Sequence, residues 1–388
     1  MIISAADKLQ YIQEYYFSRK LKEIKALMDA GKDILNLGIG NPDQMPSIET
    51  IEALKSSADK SNSHGYQSYI GIPSLRKAMA KWYLETYQVE LNFETEILPL
   101  LGSKEGITHI TQAFINPGDK VLIPNPGYPS YESATRLAGG IPVFYELDET
   151  NNWTPDFSAI KKEDLVGAKL LWVNYPNMPT GAAGSISMLE QIIQFAKTNK
   201  LLVINDNPYS LILNEERPLS IFQVEDAKSV ALELNSLSKS HNMAGWRIGL
   251  LTGRADYIST VLKVKSNVDS GMFLPMQEAA VKAFENTDDW HNERNEVYVK
   301  RRVIATSIME ALNCVVDANQ VGMFLWAKIE DKWEDSGELA DKILYEANVF
   351  ITPGFIFGTK GKRFLRISLC SPETMLSEAL KRIKSLSL

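Results

Sequence analysis

Between residues 95 and 253, short apolar runs recur with room for a helix between several of them. They are ILPLL (97–101), KVLIP (120–124), IPVFYEL (141–147), KLLWVNYP (169–176), LLVIND (201–206), SVALEL (229–234) and RIGLLTG (247–253). Segments with helical periodicity, 105–115, 187–198 and 254–265, lie between or after them. Runs this apolar cannot be half-solvated strands. They read as strands buried on both faces, and crossover helices supply that cover, so the pattern predicts an α/β fold with a mostly parallel sheet between helices. In such a sheet ligands bind beyond the carboxyl ends of the strands, which directs attention to the residues just after each run.

The rest of the chain lacks this rhythm. Residues 7–30 carry one amphipathic helical face (Leu9, Ile12, Tyr16, Leu21, Ile24, Leu27), with Gly31 placed to end it. Segment 276–312 reads as long helices leaving the sheet. VGMFLWAKI, a helix near 335–347, NVFITPG, FLRISL and a final helix from 372 then form a smaller α+β unit, which the N-terminal helix is expected to join. A chain of 388 residues fits two domains. The expected division is a large domain over 46–287 and a small one built from 1–45 and 288–388. A net charge of −7 argues against a nucleic-acid or anionic-membrane partner. The two cysteines, Cys314 and Cys370, and four scattered histidines have no metal-ligand spacing, so no metal is expected. The start has no signal-peptide pattern, and no run of about 18 apolar residues occurs, so a cytoplasmic protein is expected.

Five strand ends carry polar chemistry. Gly102-Ser103-Lys104 opens a helix after the first run; it is either an anion cradle of free backbone N–H groups or a tight turn with a serine cap. Tyr128, in a proline-fixed loop, can stack on a flat ligand or cover the core. Asn174 ends a strand whose stiff loop continues through Asn177 to Gly181. Asp206 ends an apolar strand, a costly place for a carboxylate without a cation. Lys239, in NSLSKSHNMAGWRIG, has no carboxylate nearby in sequence. Facing the crevice and partly desolvated, its neutral, nucleophilic amine is favoured. Ser236, Ser238 and Arg247 beside it suit a phosphate. A phosphate site, a stacking aromatic, an acid for a ring cation and a carbonyl-capturing lysine together describe pyridoxal 5′-phosphate (PLP).

The ordered set LGIGNPD, GYQSYIGIPSLR, GSKEG, PGYPSY, NYPNMPTG, DNPY, SLSKSHNMAGWRIG and RISL, from about residue 35 to 370, resembles the class I/II aminotransferases of PLP fold type I. KSNVDSGMF (265–273) is similar to the branch holding LL-diaminopimelate and aspartate- or alanine-type enzymes. The resemblance implies a large domain with a seven-stranded, mostly parallel sheet plus a smaller α+β domain. It implies an amino-acid/2-oxo-acid transaminase working by ping-pong kinetics through pyridoxamine phosphate. Lys239 would hold the cofactor covalently and later move a proton. Asp206 would pair with the ring nitrogen, Tyr209 would hydrogen-bond the ring oxygen, and Tyr128 would stack. Gly102, Ser103, Lys104, Ser236, Ser238 and Arg247 would hold the phosphate, with Asn174 and Asn177 as further cofactor contacts. Arg366, assisted by the backbone of Gly40, would grip the substrate carboxylate. The partner subunit's Tyr66 would reach the phosphate, which implies a homodimer with shared active sites.

One departure stands out: Met178 occupies the place of the family asparagine that donates to the ring oxygen, and Asn177 is the alternative donor. Two rival activities share most of these residues. One is a PLP-dependent C–S lyase of the same fold, similar to cystathionine β-lyase. The other is a non-catalytic PLP-binding regulator, for which the chain before residue 35 leaves no room for a DNA-binding region.

Overall fold

The structure, a computed structural model, describes residues 3–12, 16–214 and 216–386. All seven apolar runs form strands of one sheet: β1 (Ile97–Leu100), β2 (Lys120–Asn125), β3 (Ile141–Glu146), β4 (Ala168–Val173), β5 (Leu202–Asp206), β6 (Ala231–Ser236) and β7 (Gly249–Gly253). Their spatial order is β1-β7-β6-β5-β4-β2-β3. β7 runs antiparallel to both β1 and β6, and every other pairing is parallel. The central strands β5, β6 and β7 are buried at every residue, as a sheet covered on both faces requires. The edge strand β3 is mostly open, which fits its place outside the covered layer.

The three periodic segments are helices Ser103–Phe114, Ile186–Asn199 and Ala255–Lys265. Ser185 caps the second, accepting from the Met188 N–H at 3.1 Å. Segment 276–312 falls in two helices, Leu274–Ala283 and Asp288–Ala311. Beyond them a four-stranded antiparallel sheet runs in the order Thr352–Pro353, Phe364–Ser368, Phe324–Lys328, Val315–Val316. Helices Ser336–Ala347 and Asp288–Ala311 pack on it, and Glu373–Lys384 packs on both helices.

The N-terminal stretch packs with this second unit. Leu35–Asn36 pairs in parallel with Val349–Phe350, Lys20 reaches Asp341 at 3.0 Å, and Asp43 grips Arg301 with both oxygens, at 2.7 and 2.8 Å. The expected single helix over 7–30 is not continuous. A 3₁₀ turn covers Asp7–Tyr11, Ile12 is extended, and an α-helix runs from Tyr16 to Asp29. The cause is tertiary: the first turn lies across helix Ser130–Leu137, where Lys8 donates to the Leu137 carbonyl, while the second piece buries Phe17 and Ile24 elsewhere. An apolar period does not register such a change of direction.

Candidate active site

The strand directions explain why distant residues meet. β2, β4, β5 and β6 are parallel, so the residues following them emerge on one edge of the sheet. β7 is antiparallel, so Arg247, just before it, emerges on that edge too. There they border a cavity of about 420 Å³, closed on its other side by Gly38, Gly40, Phe324, Phe357 and Arg366.

Lys239 sits in a single helical turn, Leu237–Ser240, directly after β6, where Ser236 accepts from the Ser238 N–H at 3.0 Å. Its ammonium donates to the Gly40 carbonyl. Burial holds its pKa below the ordinary lysine value; the Cys370 side pulls it back up, and the positive Arg366 and Arg247 lower it further. The neutral amine needed for attack on a carbonyl is therefore favoured.

Asp206, the last residue of β5, is 5% exposed. One carboxylate oxygen accepts from the Tyr131 hydroxyl at 2.8 Å; the other, Oδ1, is buried without a hydrogen-bond partner among the described residues. Burial pushes its pKa up to about 6, against the lowering effect of the Tyr131 hydrogen bond. Tyr131 is stacked on Trp172, with centroids 4.7 Å apart and planes 9° from parallel, so the hydroxyl is fixed in position. Tyr128 meets Tyr131 edge-on at 5.7 Å. Tyr209 also borders the cavity; burial raises its hydroxyl pKa while Arg366 opposes the rise.

At the far end, helix Ser103–Phe114 begins beside Arg247. Gly102 has φ +86°, and a Cβ there would lie 2.0 Å from the Arg247 guanidinium, so only glycine allows this approach. Arg247 donates to the Ser238 hydroxyl at 3.4 Å, and Ser236 to Ser238 at 2.8 Å. Behind the helix start, Glu105 accepts from the Leu101 N–H at 2.6 Å and lies 3.2 Å from His109. Helix start, hydroxyls and guanidinium make a cup for an anion with several oxygens.

Arg366 is central in its strand. It donates to the Gly38 carbonyl at 2.9 Å, touches the Met178 sulfur at 3.3 Å, and lies over the rings of Phe324 and Phe357 at 4.0 and 4.6 Å. A Cβ on Gly40 would lie 2.3 Å from Phe324, so glycine keeps this backbone against the ring.

The structure thus gathers Gly40, Ser103, Lys104, Tyr128, Asn174, Asp206, Tyr209, Ser236, Ser238, Lys239, Arg247 and Arg366 around one cavity, with Gly102 immediately behind it. Two asparagines hold the loop together. Asn174 spends its amide on the loop, donating to the Asp206 carbonyl and accepting from the Met178 N–H at 2.8 Å. Asn177 does not border the cavity; it donates to the Asn174 carbonyl at 3.1 Å and accepts from the Thr180 hydroxyl at 2.8 Å. Tyr66 is 93% exposed and lies outside the cavity, beside His64 and Phe273. Sequence reasoning missed the Tyr131 bond to Asp206, although Tyr131 stands in PGYPSY, and it missed the aromatic wall of Phe17, Phe324 and Phe357.

The orphaned Oδ1 of Asp206 is a strong acceptor awaiting a donor. The neutral-favoured lysine and the anion cup stand at the same cavity. These features fit PLP, whose protonated ring nitrogen, aldehyde and phosphate are their chemical complements. The family model for aminotransferase class I and II matches residues 32–383, so the chain belongs to that family. It is 38% identical to an LL-diaminopimelate aminotransferase of Aquifex aeolicus over 384 residues, covering 99% of each chain. The substrate-bound structure of BacF from Bacillus subtilis superposes with a TM-score of 0.95 at 36% identity, covering 100% of this chain and 99% of that one. An aspartate aminotransferase of Thermus thermophilus gives 0.90 at 25% identity, covering 98% and 99%. These relatives favour amino-group transfer over the C–S lyase reading. No helix among the described residues is long and apolar enough to cross a membrane.

Proposed function

We propose that this chain exchanges an amino group between an L-amino acid and a 2-oxo acid with its own residues in the following roles. PLP supplies an electron sink and a carrier for the amino group. Lys239 holds its aldehyde carbon and, once freed, moves a proton at the substrate Cα. Asp206, steadied by Tyr131, keeps a proton on the ring nitrogen. Tyr209 donates to the ring oxygen and Tyr128 covers a ring face. Ser236, Ser238, Arg247 and the helix start at Gly102, Ser103 and Lys104 hold the phosphate. Arg366 and the Gly40 backbone bind the α-carboxylate, which selects amino acids over simple amines. Asn174 and Asn177 act through the shape of the loop.

The observation that carries this assignment is the buried Asp206 Oδ1 without a hydrogen-bond partner among the described residues, on a residue that borders the same cavity as Lys239. We further propose a homodimer in which the partner subunit's Tyr66 completes the phosphate cup, in keeping with the exposure of this tyrosine on the isolated chain. The domain division at 46–287 against 1–45 with 288–388 is supported by the placement of the seven-stranded sheet in the first unit and of the two smaller sheets in the second. A cytoplasmic location is supported by two buried cysteines that form no disulfide. The test is to load the protein with PLP, reduce it with borohydride and map the labelled peptide. Label on the peptide holding Lys239 is expected; label elsewhere, or none, would refute the assignment.

Met178 gives a second expected result. It borders the cavity with a thioether that donates no hydrogen bond, while Asn174 and Asn177 each spend one amide N–H on a backbone carbonyl. A donor there stabilises the ring phenolate and weakens its hold on the neighbouring proton. Met178→Asn is therefore expected to lower the pKa of the bound cofactor's visible band by about 1, the size of one hydrogen bond to a charged group. An absorbance titration checks it; an unchanged or higher value would show that the new amide does not reach the ring oxygen.

A further inference from the structure

We infer that Arg294 is a positioning residue for the transfer reaction. It ties the turn that carries Lys239 to the loop that carries Tyr209, and so fixes the cofactor-holding amine against the ring-oxygen donor. The inference rests on the roles proposed above for Lys239 and Tyr209 and adds the residue that holds them in register.

Arg294 stands near the start of helix Asp288–Ala311 and is 2% exposed, enclosed by its own chain. Burial lowers its pKa to about 10, with Tyr298 opposing the fall, so it stays a cation at neutral pH. A buried cation is costly unless something pairs with it. None of its hydrogen-bond partners among the described residues is a carboxylate. Nη1 donates to the Ser240 carbonyl and, at 3.0 Å, to His291 Nδ1. Nη2 donates to the Leu211 carbonyl and, at 3.0 Å, to the Asn295 side-chain oxygen. Burial and the Arg294 charge hold the His291 pKa down to about 3, so its ring is neutral and can accept.

Both carbonyls belong to segments without a ladder of their own. Ser240 ends the single helical turn Leu237–Ser240, whose last carbonyls have no helical N–H to bond. Leu211 lies two residues after Tyr209, outside any helix or strand; Asn295 gives its carbonyl a second bond at 3.2 Å. The two segments follow different strands, β6 and β5, and one planar guanidinium spans them. A lysine ammonium has no such fork of fixed directions. The helix is itself fixed to the site. Arg301, seven residues on and on the same face, grips Asp43, three residues beyond the Gly40 whose carbonyl accepts from Lys239. One helix thus holds the lysine turn, the Tyr209 loop and the Gly40 segment.

The test compares Arg294→Met, which keeps the bulk and removes the donors, with Arg294→Lys, which keeps the charge and reaches one carbonyl at a time. Hydrogen exchange of the cofactor-free proteins is followed by mass spectrometry. Arg294→Met is expected to exchange on the order of 10-fold faster in the peptides covering 207–214 and 237–243 together, the worth of a hydrogen bond from a charged donor. In the PLP-loaded enzyme its half-reaction rate at saturating amino acid is expected to fall by about 10- to 100-fold, the effect of misplacing reacting groups by about 1 Å. The half-saturating concentration is expected to move by less than about 3-fold, because Arg366 still grips the carboxylate. The pKa of the cofactor's visible band is expected to rise as the Tyr209 donor loosens. Arg294→Lys is expected to fall between the two, and it carries the test should the methionine variant fail to fold. Faster exchange confined to helix 288–311, with the rate and band pKa of the wild type, would overturn the inference and leave Lys239 and Tyr209 in their roles. No conversion by the wild type with any amino acid would overturn the transfer reading and this role with it.

Discussion

Replacing Lys239 by alanine is expected to slow the half-reaction with any amino acid by at least about 10⁴-fold, the upper range for loss of one positioned acid–base group. Two tasks fall on the same amine. It holds the cofactor carbon before substrate arrives, and it moves a proton at Cα afterwards. Both need the neutral form at working pH, and burial together with the positive Arg366 and Arg247 lowers the pKa to favour it. The bond from Nζ to the Gly40 carbonyl places the amine on the substrate side of the cavity. Single-turnover absorbance measures the loss. Small primary amines added to Lys239→Ala should restore part of the rate, rising with amine basicity, because the deleted side chain leaves room and proton transfer is what is missing. A structural lysine would give no such rescue. A rate within tenfold of the wild type would remove Lys239 from the chemistry.

The sheet was open to reading because its strands are covered on both faces, and this forces continuous apolar runs that no amphipathic surface element shares. The strand-end rule then pointed to Asp206 and Lys239, since a charged residue closing an apolar strand must be matched by something. Hydrogen-bond bookkeeping was not open to reading. Asn174 and Asn177 have the right residue type in the right loop, yet their amides bond backbone groups and the Thr180 hydroxyl, a choice fixed by how the loop closes and not by its composition. Tyr131 and Asp206 are 75 positions apart and meet because β2 and β5 lie in one sheet and deliver the residues that follow them, or end them, to one edge. The apolar wall was hidden for the same reason. Phe17, Ile39, Phe324 and Phe357 come from an α-helix, a loop, a strand and a 3₁₀ turn, and no window of sequence contains more than one of them. The interruption at Ile12 escaped because the apolar period continues on both sides of it while the packing partner changes.

Asp206→Asn is expected to separate activity from stability. With the acid gone, the ring nitrogen loses the charge that keeps it protonated. A pair about 4 Å apart at an effective dielectric of about 20 is worth about 4 kcal/mol, which corresponds to roughly 10³-fold in rate. The cofactor-free protein should respond in the opposite direction. Burial raises the Asp206 pKa from 3.8 to about 6, so the folded state binds this proton more tightly than the unfolded chain does. The stabilisation is complete below the unfolded value and is lost as pH rises through about 6. The whole step is about 3 kcal/mol, of which roughly half falls between pH 5 and 8. Asparagine keeps the shape and carries no charge, so the variant lacks this step. Urea unfolding of the two cofactor-free proteins at pH 5 and pH 8 isolates it, because every other titrating group is common to both. The variant should gain on the wild type by about 1 kcal/mol over that interval, while bound PLP, whose ring cation pairs with the carboxylate, should reverse the order at pH 8. A difference that does not change with pH would mean that Asp206 is already paired without the cofactor, and the orphaned oxygen would then no longer argue for a ring nitrogen opposite it.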